Sequence, residues 1–183
     1  MRCWLALCLL FSGIAVAGET VSICHGYGCQ SLAEIYYDDG QLASVGEKLG
    51  AAEDGETERA TLADVIGELY GWAGLQSDIH NDRGGNYADG TVPGKMDCID
   101  HATSTTRLLL LLENLGLLRW HRVVAPELRH WAWVIPAHYS AVIEEKMAGE
   151  VGRFAVDSWF VDNGQPAVIL PLDEWKKGAG PDV

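Results

Sequence analysis

An α+β domain is predicted for this chain by three features of its sequence. Apolar residues recur at helical spacing through the first half, and short β-branched or aromatic segments divided by proline and glycine fill the second. Helices followed by strands in this order favour a segregated α+β arrangement over a parallel α/β one. The third feature is length. Removing a predicted leader of 17 residues from 183 leaves 166, which suits one hydrophobic core, so residues 18–183 are expected to form a single domain.

The leader carries one charge at Arg2, then an unbroken apolar run, then small residues at Ala15 and Ala17. This is the grammar of a signal peptide. Its apolar run is shorter than the roughly 20 residues of a membrane-spanning helix, so cleavage and export to the periplasm or beyond are expected, with no integral membrane segment in the mature chain. Leu7 rather than a small residue precedes Cys8, which argues against lipoprotein processing.

The mature chain then keeps Cys24, Cys29 and Cys98. Cys24 and Cys29 enclose His25-Gly26-Tyr27-Gly28, whose glycines permit a tight loop closed by a disulfide in an oxidising compartment. Cys98 is left over, either as a nucleophile or as an inert buried thiol. Residues 31–50 have mixed helical and turn character, and 50–57 form an acidic break. Over 58–72 the spacing of Leu62, Val65, Ile66 and Leu69 predicts an amphipathic helix.

Residues 77–97 are rich in Gly, Asn and Asp, lack apolar periodicity and read as a long surface loop running into Cys98. Their acidic and amide residues do not follow the spacing of an EF-hand. A helix over 98–115 follows, apolar on most sides, with Gly116 placed to stop it. Strands are predicted over 119–124, 138–145, 153–160 and 167–170, separated by Pro126, Pro136, Gly149, Asn163-Gly164 and Pro171.

With 26 acidic against 13 basic residues, the formal charge of −13 disfavours nucleic acid and anionic membrane surfaces, and no basic cluster offsets it. The chemistry concentrates around Cys98. In Met96-Asp97-Cys98-Ile99-Asp100, Asp97 is suited to cap the helix and Asp100 to complete the capping box. Cys98 then lies where the helix dipole favours an anion, which makes a thiolate accessible, while the flanking carboxylates oppose it. A histidine is needed as general base and acid.

His80, His101, His121, His130 and His138 are the candidates outside the Cys24 loop. His101 shares the Cys98 helix and reads as a packing or cap-proximal residue. His138 opens a strand on which His138, Ser140 and Val142 share a face. On the next strand Asp157 stands among apolar neighbours, a costly place for a carboxylate without a partner. A hairpin turning near Gly149 would set Asp157 opposite His138, where it would orient the imidazole and complete a Cys98, His138, Asp157 triad. The backbone N–H of Cys98 is the natural oxyanion donor, with Asn81, Asn86 and the Trp72 indole as candidates for a second.

Gly94-Lys95-Met96-Asp97-Cys98-Ile99-Asp100-His101-Ala102 resembles the Gly-Asp-Cys-Glu-Asp-Tyr-Ala signature of bacterial transglutaminase-like cysteine proteinases. His138-Tyr-Ser-Ala-Val-Ile is similar to their histidine strand, and Val156-Asp157-Ser158-Trp159 stands where they carry Asp or Asn. The likeness spans about residues 90–160. It implies a papain-like, transglutaminase-like fold with the cysteine on a central helix packed on an antiparallel sheet. It also implies thiol acyl transfer on a protein or peptide substrate, as peptidase, amidase or acyltransferase, with no required cofactor. Some members bind calcium through acidic residues around the cysteine; Asp97 and Asp100 are the matching oxygens here, while Ile99 replaces the signature Glu.

Two competing readings are a catalytically silent module for binding or envelope assembly, with Trp131 and Trp133 lining a groove, and a hydrolytic metal site built from His80, Asp82, Asp97, Asp100 and His101. The last lacks the helical His-Glu-x-x-His arrangement.

Overall fold

The computed structural model describes residues 18–85, 91–131, 135–146 and 152–181. The leader at 1–17, Asn86, Trp133 and Gly149 lie outside these residues. The order of elements is β1 (Glu19–His25), β2 (Ser31–Tyr37), α1 (Asp39–Gly50), α2 (Gly55–Gly74), a 3-10 turn (Asp78–Asn81), α3 (Cys98–Asn114), β3 (His121–Trp131), β4 (Ile135–Glu145), β5 (Arg153–Asp157), β6 (Val168–Pro171) and α4 (Leu172–Lys176).

The fold is α+β, with one antiparallel hairpin, β1-β2, and one four-stranded antiparallel sheet in the order β3-β4-β5-β6. The hairpin departs from the expectation for 31–50. Residues 31–37 pair with 19–25 through a complete ladder, and only Asp39–Gly50 are helical. Alternation in β2 is masked because its outward face carries Leu32 and Tyr36, both more than half exposed. Strand β3 also runs on to Trp131, past Pro126, which sits where the β3-β4 register shifts between Val124 and Glu127. A bulge accommodates a residue that donates no ladder hydrogen bond. Strand β5 ends at Asp157 rather than at 160, and α4 was not expected at all.

Each long helix starts on an aspartate cap with a reciprocal partner three residues on: Asp38 with Gln41, Asp54 with Thr57, and Asp97 with Asp100. The main core lies between α1, α2, α3 and one face of the sheet, where Leu42, Val45, Leu62, Ile66, Leu69, Leu108 and Leu112 meet Ala141, Ile143 and Val156. Alternation sends Val142 and Ala155 to the other face, which Leu172 and Trp175 of α4 cover.

Glu58 ties α2 to the start of β3. Fully buried, its carboxylate accepts the backbone N–H groups of Arg119, Trp120 and His121 and pairs with His121 Nδ1 at 2.8 Å. Burial pushes its pKa up, but these hydrogen bonds outweigh it and hold the carboxyl below its usual range.

Candidate active site

Cys98 is the first residue of α3 and is half-buried. Asp97, in extended conformation, accepts the N–H groups of Ile99 at 3.0 Å and Asp100 at 2.9 Å through Oδ1, and Asp100 Oδ2 accepts the Asp97 N–H at 3.1 Å. The predicted capping box is therefore present. At the first helical position the Cys98 N–H has no intrahelical acceptor, which leaves it available to an incoming oxygen.

Cys24 and Cys29 form a disulfide, which fits an oxidising compartment. Its loop lies on the start of α3. Residues 26–29 all have left-handed backbone, with φ of +84°, +68°, +66° and +58°. Two of them, Tyr27 and Cys29, carry a Cβ and do not favour this region. Successive N–H groups in such a turn converge to make an anion-binding concavity. Here Tyr27 donates to Asp100 Oδ2 at 2.8 Å, Gly28 to Asp97 Oδ2 at 2.9 Å and Cys29 to Asp100 Oδ1 at 2.5 Å.

This concavity eases the electrostatic conflict beside Cys98, because its three donors and the three of the helix cap spread the charge of the two flanking carboxylates. Burial, foremost, pushes the Asp100 carboxyl up, and the neighbouring Asp97 charge adds to it, against the hydrogen bonds from Asp97, Cys29 and Tyr27. All four oxygens of Asp97 and Asp100 accept at least one N–H, so a calcium ion bound to them would face the positive ends of these dipoles.

His138 and Asp157 meet as expected, with Nε2 and Oδ2 2.7 Å apart and both residues buried. Their register differs in detail. Ala141 pairs with Val156, so continuing the ladder sets Ser140 across from Asp157, and His138 reaches it diagonally from two residues away on the same face. Asp157 also accepts the Trp175 indole N–H on Oδ2 at 2.8 Å and the Trp159 backbone N–H on Oδ1 at 3.2 Å. The imidazole is enclosed by Trp159, Phe160 and Trp175, with ring centroids at 4.8, 5.5 and 5.9 Å.

Burial alone would push His138 down. Hydrogen bonding and charge from Asp157 and from Cys98 outweigh it and raise its pKa to about 9. Asp157 takes Nε2, so the ring nitrogen left for Cys98 is Nδ1. Thiol, imidazole and carboxylate thus stand in the order that nucleophilic catalysis needs.

The other histidines are elsewhere. His80 is exposed and bonds the Ser77 carbonyl, His130 is exposed, and His121 is bound to Glu58. Asn81 donates to the Pro93 carbonyl, and Trp72 packs against the main core, which leaves neither as an assigned oxyanion donor. The residues of the competing metal-site reading separate: Asp82 pairs with His101, whereas Asp97 and Asp100 face the disulfide loop. Among the described residues, the one cluster of three metal-ligating side chains is Cys24, Cys29 and Asp100, and its two cysteines are joined to each other.

Sequence reasoning missed Trp175 as the cover over the His138–Asp157 pair. Its short helix follows Pro171 with acidic first-turn residues, a helix-start signal, but nothing local points to Asp157. No helix among the described residues is long and apolar enough to cross a membrane. No protein-family model, curated protein or solved structure matches the chain.

Proposed function

We propose that the protein is an exported cysteine peptidase or amidase that works by thiol acyl transfer, on a papain-like, transglutaminase-like domain. The observation that carries this reading is a buried histidine held between a carboxylate and the cysteine at a helix start, with its pKa raised to about 9. Its imidazole has an acid on each side, as a nucleophile and its base require.

In the proposed cycle Cys98 Sγ, as thiolate, attacks the acyl carbon, and the oxyanion forms against the Cys98 N–H. Protonated His138 gives its Nδ1 proton to the leaving amine as the carbon–nitrogen bond breaks, leaving a thioester. Neutral His138 then takes a proton from water, whose oxygen attacks the thioester carbon. The acid leaves, and Cys98 and His138 return to thiolate and imidazolium. Asp157 holds Nε2–H throughout and stabilises the charged ring without taking its proton. An amine in place of water would give transamidation by the same route.

The test is hydrolysis of a mixed peptide library by the mature protein, followed by mass spectrometry. Cys98→Ser is expected to lower turnover by at least about a thousandfold. Equal turnover by wild type and variant would rule out Cys98 as the nucleophile, and none by either would favour a silent binding module.

A further inference from the structure

A second chain of buried polar groups lies beside the triad. Asp82 Oδ2 and His101 Nε2 are 3.0 Å apart, His101 Nδ1 and Ser158 Oγ are 2.8 Å apart, and Ser158 Oγ continues to Thr105 Oγ1 at 2.8 Å and on to the Tyr70 hydroxyl at 3.0 Å. Its order, carboxylate, imidazole, hydroxyl, copies that of a serine triad. Ser158 is nevertheless only 4% exposed, and its hydroxyl is shared with Thr105, so it is no nucleophile.

Its placement suggests a different task. His101 stands one turn after Cys98 on α3. Ser158 directly follows Asp157. Asp82 accepts the N–H of Met96, two residues before Cys98, at 2.9 Å. The loop before Cys98 is fitted closely: Gly94 has φ of +82°, and a Cβ there would lie 2.0 Å from the Asp78 carbonyl oxygen. The His101–Ser158 link joins the helix that carries Cys98 to the strand end that carries Asp157, while Asp82 braces His101 and the segment leading into Cys98. Helix α3 brings the nucleophile and the sheet brings the base and its orienting acid, so nothing covalent fixes their spacing.

We propose that Asp82, His101 and Ser158 are positioning residues that lock the start of α3 to the end of β5, and so set Cys98 at working distance from the His138–Asp157 pair. The inference rests on the triad reading given above. Displacing a reacting group by about 1 Å costs up to about a hundredfold in rate, far more than the stability lost with one buried hydrogen bond would suggest.

The test uses the mature chain with its disulfide intact and iodoacetamide as the probe of Cys98. Ser158→Ala deletes one oxygen, and Asp82→Asn is isosteric, so both are chosen to keep the fold. Tyr70→Phe deletes the hydroxyl that bonds Thr105, a link of the same network that joins α2 to α3 and no two triad segments, and serves as the comparison. Ser158→Ala and Asp82→Asn are expected to slow alkylation at about neutral pH by about tenfold or more. They should also move the His138 titration, read by NMR of its ring protons, down toward its ordinary value. Tyr70→Phe is expected to lower thermal stability and leave both readouts in place. If all three variants lose stability while alkylation and the His138 titration stay as in wild type, the network is merely structural and the proposal is overturned. Equal shifts in all three also overturn it. His138→Ala in the otherwise wild-type chain separates the premise from the inference: alkylation indifferent to that change sinks the triad itself.

Discussion

At His138 burial and pairing act in opposite directions, and pairing wins. The folded-state pKa rises from the ordinary 6.5 to about 9. Its contribution to stability is therefore fully present below pH 6.5 and is lost as pH rises through about 9. Urea unfolding of wild type and Asp157→Asn across this window is the check. The stability difference between them is expected to shrink as pH rises from 6.5 to 9, because the imidazolium that Asp157 stabilises is disappearing. A difference that grows with pH would mean the pair is held neutral. Asp157 was legible as a partner seeker because a lone carboxylate amid Val156, Trp159 and Phe160 is costly. That Trp175 also serves it was not legible, since this contact joins residues 18 apart through a helix absent from the periodicity.

At the level of elements, the disulfide loop and the start of α3 form one unit. The capping box was readable from Asp97 and Asp100, because caps are local and three residues apart. The concavity at 26–29 was not, since left-handed backbone at Tyr27 and Cys29 is imposed by the disulfide and by carboxylates some 70 residues away. Replacing both cysteines, Cys24→Ser with Cys29→Ser, removes a cross-link spanning five residues. Loop entropy alone predicts a loss of about 2 kcal/mol. The variant is also expected to alkylate more slowly at Cys98, because Asp97 and Asp100 lose ordered donors and repel the thiolate more strongly. Urea midpoints and iodoacetamide rates measure the two effects. Unchanged alkylation in a destabilised variant would confine the loop to a structural role.

Over the whole molecule, Cys98 comes from the helical half and His138 from the sheet. The order of α2 and α3 before the four-stranded sheet was readable because helical spacing and β-branched punctuation are both local signals. The β1-β2 hairpin escaped notice, as did the diagonal register of His138 on Asp157, since pairing depends on what the rest of the chain brings alongside. The Asp82–His101–Ser158 chain escaped for the same reason: its members stand in three separate segments, and only the packed core draws them together. Glu58, tying α2 to residues 119–121 where β3 begins, shows that the two halves are joined by polar as well as apolar contacts.

The most direct test of the account is the rate of Cys98 alkylation by iodoacetamide from about pH 5 to pH 9 in wild type and His138→Ala, since only thiolate reacts. The account predicts appreciable labelling of wild type on the acid side of this range, and a steep rise with pH in the variant that leaves its acid-side rate at least about tenfold lower. Superimposable steep profiles for the two proteins would contradict a thiolate–imidazolium pair and the enzyme built on it.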